Sequence, residues 1–510
     1  MSGADTTKPA TPPCNLTARR LGIETLHEAH VFLRKDSFVS RAEGFSAHTR
    51  ILVCHGDRSI IATLYHLTSD LIGPTEIGLS ESAWSRLGLN DGDDVSVGHA
   101  PPVESLSHVR SKVYGHPLNA HAFDEIVSDV AKGEYSSIHL SAFITACAAR
   151  PLDLSEMRAL TEAMVKVGDR LNWHTKPIAD KHSIGGLPGN RTTPIVVSIV
   201  AACGITIPKT SSRAITSPAG TADTMETLAP VDLDVTAMRR VVEREGGCVV
   251  WGGAVRLSPT DDILIGIERV LDLDAEGQLV ASILSKKIAA GATHLVLDIP
   301  VGPTAKVRSR EAARSLTHNL LNVAHSFGLE TRAVIADGQQ PVGRGIGPAL
   351  EARDVLRVLQ RTSDAPDDLR EHALLLAADL LEMCGVAANG KGFDLATQTL
   401  DSGKAWEKFQ HICEAQGGMR VPLVAAHRHV VTATRTGIIE GIDNRRLARV
   451  AKLAGAPEDK AAGLEIHVRL GEPATEDQPL YTIHAESPGE LSYALEYAGA
   501  NPGIVAIARS

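Results

Sequence analysis

The sequence predicts an α/β protein with four parts: a parallel or mixed sheet domain, a helical domain, an N-terminal β-rich domain and a C-terminal α+β domain. Between residues 176 and 425, strand-like runs alternate with glycine-rich loops and helical segments, which is typical of parallel strands joined by crossovers. Residues 103–173 show helical periodicity instead. The composition is 43% apolar but only 4% aromatic, which favours helices and parallel strands over a β-sandwich.

The N-terminal part is predicted to be a tail followed by a small β-rich domain. Residues 1–16 are polar and rich in Pro and Thr, and we expect them to be disordered. Within residues 17–102, the run RILVCHGDRSIIATLYHL indicates a hairpin that turns at Gly56 and Asp57. We expect this domain to end at Pro101-Pro102.

The next part is predicted to be helical. Apolar residues recur at helical spacing from Phe123 to Val130, and Gly133 should end that helix. Asp153 is a candidate N-cap for a later helix. We expect residues 103–175 to form a helical domain together with residues 258–291, which also have helical periodicity.

The α/β domain is assigned to residues 176–257 and 292–425. Ligands of such sheets collect at the carboxyl ends of the strands. The C-terminal domain, residues 426–510, contains a strict alternation of apolar and polar residues from Leu464 to Leu470. The strand candidates of the α/β domain are 204–208, 247–253, 293–300 and 331–338.

Charge, cysteine usage and hydropathy exclude several classes of protein. The net charge of −10, with no basic run, argues against a nucleic-acid partner but permits a small phosphorylated ligand. The seven cysteines lack C-x-x-C spacing, and the histidines form no metal-ligand pattern, so we expect no metal site. The longest apolar stretch, 194–208, is shorter than the roughly 20 residues of a membrane span. We expect a cytoplasmic protein without a membrane partner.

The most informative stretch is DKHSIGGLPGNRTT, Asp180 to Thr193, which leads into an apolar helix. A glycine-rich loop at a helix N-terminus presents unpaired N–H groups and a partial positive charge, which together favour an anion. Lys181 adds a full charge, and Ser183 adds a hydroxyl donor. An ordinary turn with an N-cap is the alternative interpretation.

A second loop follows one strand later, KTSSRAITSPAGTAD, Lys209 to Asp223, with Gly220 beside a helix start. Two successive strand–loop–helix units should aim both loops at one crevice. Neither loop matches the Walker pattern. Taken singly, any of the further polar candidates could equally lie on a solvated helix face: Asp274, Ser282, Lys286 and Lys306.

Four ordered motifs, DKHSIGG, SSRAITSPAGTAD, VASILSKK and DIPVGPTAKVR, together resemble the thymidine/pyrimidine-nucleoside phosphorylase family. The resemblance is closest to its longer subgroup, which includes bacterial thymidine phosphorylases and AMP phosphorylases. It implies an α/β domain facing a helical lobe, a cleft that closes between them, and a homodimer. It also implies that inorganic phosphate is a co-substrate and that no metal or other cofactor is required.

The resemblance also assigns residue roles. In the longer subgroup the proton donor corresponds to Asp274. Ligand-binding positions of that subgroup correspond to Gly186, Ser212, Arg213, Ala214, Ile215, Thr216, Ser217, Thr221, Ser282 and Lys306. Phosphate- and base-binding positions of the shorter, pyrimidine-specific members correspond to Lys181, His182, Ser183, Ser282 and Lys286.

One departure affects base specificity, because the shorter members carry a base-gripping Arg where this chain has Gly266-Ile267. Cleavage of thymidine to thymine and 2-deoxy-α-D-ribose 1-phosphate is the favoured reaction. AMP phosphorolysis to ribose 1,5-bisphosphate is the alternative. Phosphoribosyl transfer would need an acidic magnesium pair, and Asp261-Asp262 reads as a helix start instead. A non-catalytic nucleotide-binding module is the remaining possibility.

Overall fold

A computed structural model describes residues 15–214, 217–273 and 275–508. The chain divides into two compact units. In the described ranges, no helix has both the length and the apolar character that a bilayer crossing requires. The first unit comprises residues up to 167 and 259–278, and the second comprises 168–258 and 279 onward.

The first unit begins with a closed six-stranded barrel of order β1-β5-β2-β4-β3-β6. The predicted hairpin is confirmed, since His55 and Arg58 pair across its turn. The predicted tail extended two residues too far, because Asn15 and Leu16 begin β1 and Leu16 is buried in the barrel core. The elements are β1 Asn15–Arg20, β2 His30–Arg34, α1 Phe38–Ala42, β3 Arg50–His55, β4 Arg58–Leu67, β5 Glu76–Leu79, α2 Glu81–Leu87 and β6 Asp94–His99.

The rest of the first unit is helical. Gly133 ends α4 in a left-handed conformation, and Asp153 accepts a hydrogen bond from the backbone of Glu156, as the sequence predicts. Helix α10 packs against α4, α5 and α6, and Thr260 Oγ1 donates to the Val127 carbonyl. The helices are α3 Leu106–Val113, α4 Ala120–Lys132, α5 Ser137–Ala149, α6 Leu154–Val167 and, tenth in chain order, α10 Pro259–Leu271.

The second unit is built on parallel strands. Strand β10 lies between β7 and β11, β8 pairs with β9, and a bridge from Ile178 to Thr206 joins the two groups. The strand predicted at 204–208 starts later, because Gly204, with φ +86°, completes the turn after α7. The strands are β7 Ala179–Ser183, β8 Ile207–Ser211, β9 Gly247–Trp251, β10 His294–Val301 and β11 Glu330–Asp337.

Helices cover this sheet, and α7, whose side chains are nearly all buried, packs against α14 and α16. Residues 276–278 of α11 belong to the first unit and the remainder to the second. A short 3-10 helix spans Gly252–Val255. The α-helices are α7 Thr192–Ala202, α8 Thr221–Glu226, α9 Val235–Glu245, α11 Glu276–Ala289, α12 Arg310–Ser326, α13 Pro348–Gln360, α14 Asp367–Met383, α15 Gly392–Asp401 and α16 Lys404–Gln416.

The C-terminal region contains two sheets, of order β12-β15-β17-β13 and β16-β14-β18. The alternation predicts a strand that reaches Leu470, but the strand ends at Ile466. Beyond it, the backbone N–H of Arg469 donates a hydrogen bond to the Glu472 carboxylate. The elements are β12 Gly345–Ile346, β13 His427–Thr432, β14 Gly437–Ile442, α17 Asn444–Leu453, β15 Gly463–Ile466, β16 Pro473–Ala474, β17 Pro479–Ala485, α18 Pro488–Ala500 and β18 Val505–Ile507.

Candidate functional site

Two loops leave the carboxyl ends of β7 and β8. The first loop, residues 184–191, joins β7 to α7. The second loop, residues 212–220, joins β8 to α8 and is described except for residues 215 and 216. Parallel strands place such loops at one edge of the sheet, as the sequence predicts.

The first loop is anchored by Asp298, a fully buried residue of β10. One carboxylate oxygen accepts a hydrogen bond from Asn190 Nδ2 at 2.9 Å, and the other is 3.0 Å from His372 Nε2. Lys181 Nζ lies 3.7 Å from the same carboxylate. Despite burial, its hydrogen bonds and the nearby Lys181 hold the pKa of Asp298 at about 2. Asp298 is therefore ionised at neutral pH.

The side chain of Lys181 is buried and points to the start of α7. Its Nζ donates to Thr192 Oγ1 at 2.8 Å. Burial lowers the pKa of Lys181, and the adjacent Asp298 carboxylate opposes that shift. No described side chain caps the N-terminus of α7. A fixed cation thus lies beside a helix N-terminus, the arrangement that favours an anion.

A second buried group of charges lies below the first loop. The Asp180 carboxylate lies 3.2 Å from Lys209 Nζ and 2.8 Å from Lys287 Nζ. These lysines outweigh burial and lower the pKa of Asp180. The pKa of His182 falls well below its usual value, first because its half-buried side chain is desolvated and then because of the positive charges of nearby lysines, among them Lys286. His182 is therefore a neutral imidazole at physiological pH.

Gly186 brings the first loop against Lys306. Its φ is +79°, and a Cβ built on it would lie 2.6 Å from both the backbone N and the Cβ of Lys306. A Cβ built on Gly189 would lie 2.3 Å from the carbonyl oxygen of Val342 and 2.9 Å from that of Gly345. The glycine-rich segment 343–347 thus supports the first loop and also contributes β12.

The second loop is held mainly by residues near it in sequence. Asp223 Oδ2 accepts hydrogen bonds from the N–H groups of Ala214 at 2.6 Å and Gly220 at 2.9 Å. Arg213 forms two 2.8 Å hydrogen bonds to Glu226 and one of 3.2 Å to Asp223. Helix α8 begins directly after Gly220, as predicted.

Arg191 joins the two loops. This buried side chain donates to Thr221 Oγ1 at 2.9 Å and to the Ala219 carbonyl at 3.1 Å. Its Nε donates to Glu351 at 2.6 Å, and Glu351 also accepts a hydrogen bond from Thr224. Because Arg191 is adjacent in sequence to Thr192, the partner of Lys181, both loops are fixed to the N-terminus of α7.

The remaining predicted site residues divide into three groups. Ser282 and Lys286 lie four residues apart on α11 and so share a face of that helix. Ser212 is exposed, whereas Ser217 Oγ donates within its own loop to the Ala219 carbonyl. Three predicted positions lie outside the described residues: Ile215, Thr216 and Asp274.

Sequence reasoning missed the residues that hold these loops in place. All of them except Glu351 fall inside motifs that the sequence analysis singled out, and each is a polar residue in a glycine- or apolar-rich context. A charged or amide side chain among glycine or apolar residues is the signal that could have identified them. The missed residues are Asn190, Arg191, Asp223, Asp298 and Glu351.

Three family descriptions match consecutive parts of the chain. Residues 107–168 match the helical bundle domain of a glycosyl transferase family, and residues 175–406 match the a/b domain of that family. Residues 438–504 match the pyrimidine nucleoside phosphorylase C-terminal domain. The matched ranges cover both loops and most of the C-terminal sheets.

Full-length relatives are also similar. A protein of Acidovorax sp. (strain JS42) named "Putative thymidine phosphorylase 2" is 59% identical over 97% of this chain and 96% of its own. A "Putative thymidine phosphorylase" of Sphingopyxis alaskensis is 60% identical over 96% of this chain and 95% of its own. Anthranilate phosphoribosyltransferase from Thermus thermophilus shares the fold, with TM-score 0.52 and 19% identity over 60% of this chain and 98% of its own.

Proposed function

Because this chain belongs to the thymidine/pyrimidine-nucleoside phosphorylase family, we propose that it cleaves thymidine with inorganic phosphate, giving thymine and 2-deoxy-α-D-ribose 1-phosphate. The protein is a pentosyltransferase, and the family match supports a nucleoside and phosphate as its substrates. The names of its relatives favour thymidine over AMP.

The observation that carries the proposal is the Arg191 connection between the loops. Arg191 fixes Thr221 of α8 to the start of α7, where Lys181 donates to Thr192. Two buried cations and a helix N-terminus therefore converge on one edge of the sheet. Phosphate is the substrate that such donors suit, and Thr221 and Ser183 supply hydroxyl groups beside it.

The proposed reaction is a single displacement at the sugar. A phosphate oxygen forms a bond to C1′ while the bond from C1′ to N1 of thymine breaks, and the electron pair leaves with the base. Positive charge develops on the sugar ring, next to the phosphate. The proton lost by phosphate balances the proton gained by N1, so the overall step needs no external acid.

We assign the transfer of that proton to Asp274, on the resemblance alone. A neutral carboxylic acid would protonate the departing base and recover a proton from phosphate, which requires a pKa above the ordinary ~3.9. The neutral ring of His182 retains one donor and one acceptor for the base. Asp274→Asn should lower kcat by roughly 10²–10⁴-fold. Full turnover in that variant would remove Asp274 from the mechanism.

The decisive experiment is a substrate panel read by release of free base. Thymidine, uridine, deoxyuridine and AMP are each incubated with and without phosphate, once with EDTA and once with magnesium. We expect phosphate-dependent release of thymine that EDTA does not affect. Release of adenine from AMP with little thymine would establish the alternative, and a requirement for magnesium would favour phosphoribosyl transfer.

A variant pair links the activity to the loops. Thr221→Val removes the hydroxyl that Arg191 holds, and we expect it to raise the KM for phosphate more than that for thymidine. Thr399→Val removes a buried hydroxyl that donates within α15, away from the loops, and should leave both constants unchanged. Equal changes of the KM for phosphate in the two variants would show that the second loop does not bind phosphate.

A further inference from the structure

A cavity of about 230 Å³ lies between α13 and the C-terminal sheet, and no residue of either loop lines it. One wall is the helix, which contributes Arg353 and Arg357, and the other is formed by strands, which contribute Arg428, Glu465 and His484. None of these residues belongs to the proposed catalytic site. Such a volume admits only a small ligand, since drug-sized pockets are usually larger.

The helix wall presents two arginines. Arg353 and Arg357 are four residues apart on α13 and therefore share one face. Arg353 donates to the Leu423 carbonyl, and Arg357 lies 3.1 Å from Asp364 and 3.7 Å from Glu465. Both side chains line the cavity.

The sheet wall is set by strand register. Arg428 of β13 and His484 of β17 are directly opposite each other in the antiparallel pair, so their side chains project from the same face. Glu465 of β15 lies on a diagonal from His484 across the next pair, and its carboxylate is 4.0 Å from the His484 ring. Three adjacent strands thus each place one polar side chain towards α13.

His484 carries the argument for a ligand. The residue is only 3% exposed, and neither ring nitrogen forms a hydrogen bond with a described residue. Buried polar groups in native proteins nearly always have a partner. Burial and the nearby Arg428 and Arg353 lower the pKa of His484 to about 4, so the ring is neutral and can donate one N–H.

The charge of the cavity selects an anion. Arg357 is paired with Asp354 and Asp364, at 3.1 Å each, whereas Arg353 and Arg428 line the cavity with Glu465 as the one remaining carboxylate among its described lining residues. The inner oxygen of Asp354 is occupied by the N–H groups of Arg344 and Gly345, at 2.6 and 2.7 Å. Burial and repulsion by the other two arginines lower the pKa of Arg353, so an anion would relieve that repulsion.

We propose that this cavity binds a phosphate group, held by Arg353 and Arg428 with the His484 N–H as a further donor. Arginine is the side chain best suited to planar, bidentate recognition of phosphate. The group is either free inorganic phosphate or the phosphate of a molecule about the size of a pentose phosphate. This site is additional to the substrate phosphate site of the proposed function.

The test is equilibrium dialysis of the full chain without nucleoside, with labelled inorganic phosphate in one arm and labelled ribose 5-phosphate in the other. Arg428→Glu reverses an exposed charge, and His484→Phe keeps a ring but removes both nitrogens. Arg445→Glu is the matched control, because Arg445 is an exposed arginine of the same region outside the cavity.

We expect at least one of the two ligands to bind a site whose affinity falls tenfold or more in Arg428→Glu and in His484→Phe but not in Arg445→Glu. The arm that shows this loss identifies the source of the phosphate group. Superimposable isotherms for wild type and Arg428→Glu in both arms would overturn the proposal. None of the three variants alters the loops, so all three should keep thymidine phosphorolysis if the proposed function is correct. Measuring that activity therefore tells a failure of this proposal from a failure of the proposed function.

Discussion

The two loops at the candidate site are held in place in contrasting ways. Asn190 of the first loop is bonded to Asp298, 108 positions along the chain, and Asp298 is bonded in turn to His372. The second loop is bonded to Asp223, which lies 9 and 3 positions from its two backbone donors. The first loop therefore depends on a buried long-range charge network, whereas the second combines a local cap at Asp223 with the hydrogen bond from Arg191 to its Ala219 carbonyl.

The two loops therefore differ in the free energy that the loss of one side chain would cost. A buried carboxylate that neutralises a buried lysine costs much to remove, because the remaining charge has no counter-ion. A cap is worth less, because its loss exposes backbone donors to water or to a neighbouring group.

The largest effect should come from Asp298→Asn. This substitution leaves Lys181 buried without its counter-charge, and we expect a loss of about 3–5 kcal/mol in the free energy of unfolding. Urea unfolding measures it, with Asp379→Asn as the control, since Asp379 pairs with the partly exposed Arg332. The contrast between the loops fails if the two variants lose similar stability.

Gly186→Ala should rank next, and its neighbour supplies the control. Both Gly185 and Gly186 have positive φ, but only at Gly186 would a Cβ meet another residue, Lys306 at 2.6 Å. We expect Gly186→Ala to cost about 1–3 kcal/mol more than Gly185→Ala and to raise the KM for phosphate. Equal thermal stabilities and equal KM values would mean that Lys306 moves freely.

Asp223→Ala should have a smaller effect on stability. It removes the cap on Ala214 and Gly220, while Arg213 keeps two hydrogen bonds to Glu226. We expect a loss of about 1–2 kcal/mol together with a higher KM for phosphate. Asp234→Ala removes the N-cap of α9 and should lose similar stability without any change in KM. A raised KM in both variants would show that the effect is general.

The smallest effect concerns pH. Hydrogen bonds from Arg213 lower the pKa of Glu226 to about 2 from an ordinary 4.5. A lowered pKa in the folded state stabilises the protein fully above the ordinary value, and that contribution disappears as pH falls from 4.5 towards 2. Thermal melting should therefore show a difference between wild type and Glu226→Gln that is constant from about pH 7 to 5 and shrinks in acid. A difference in melting temperature that changes between about pH 7 and 5 would contradict the lowered pKa of Glu226.

The same contrast explains which parts could be predicted from sequence. Local signals located the hairpin at Gly56, the helix end at Gly133 and the helix start after Gly220, because each depends on residues close in sequence. Strands β9, β10 and β11 were found because their apolar runs are bounded by polar residues and turns.

Long-range features could not be predicted in this way. The pairing of Asp298 with Lys181 depends on the neighbouring positions of β7 and β10, which periodicity does not specify. Strand β8 was displaced because an apolar run continues from the turn at Gly204 into the strand. Arg191 belongs to the glycine-rich stretch from Asp180 to Thr193, but its partner Thr221 lies 30 positions away.

Strand β12 has a consequence for protein engineering. Gly345 and Ile346 lie well before residue 426, yet they pair with Glu465 and Leu464 as an edge of the C-terminal sheet. Ile346 is fully buried in the core of that sheet, and Gly463 packs against its carbonyl. Residues 426–510 are therefore not a complete structural unit. Fused to another protein without β12, they would expose the edge of β15 and lack the buried side chain of Ile346.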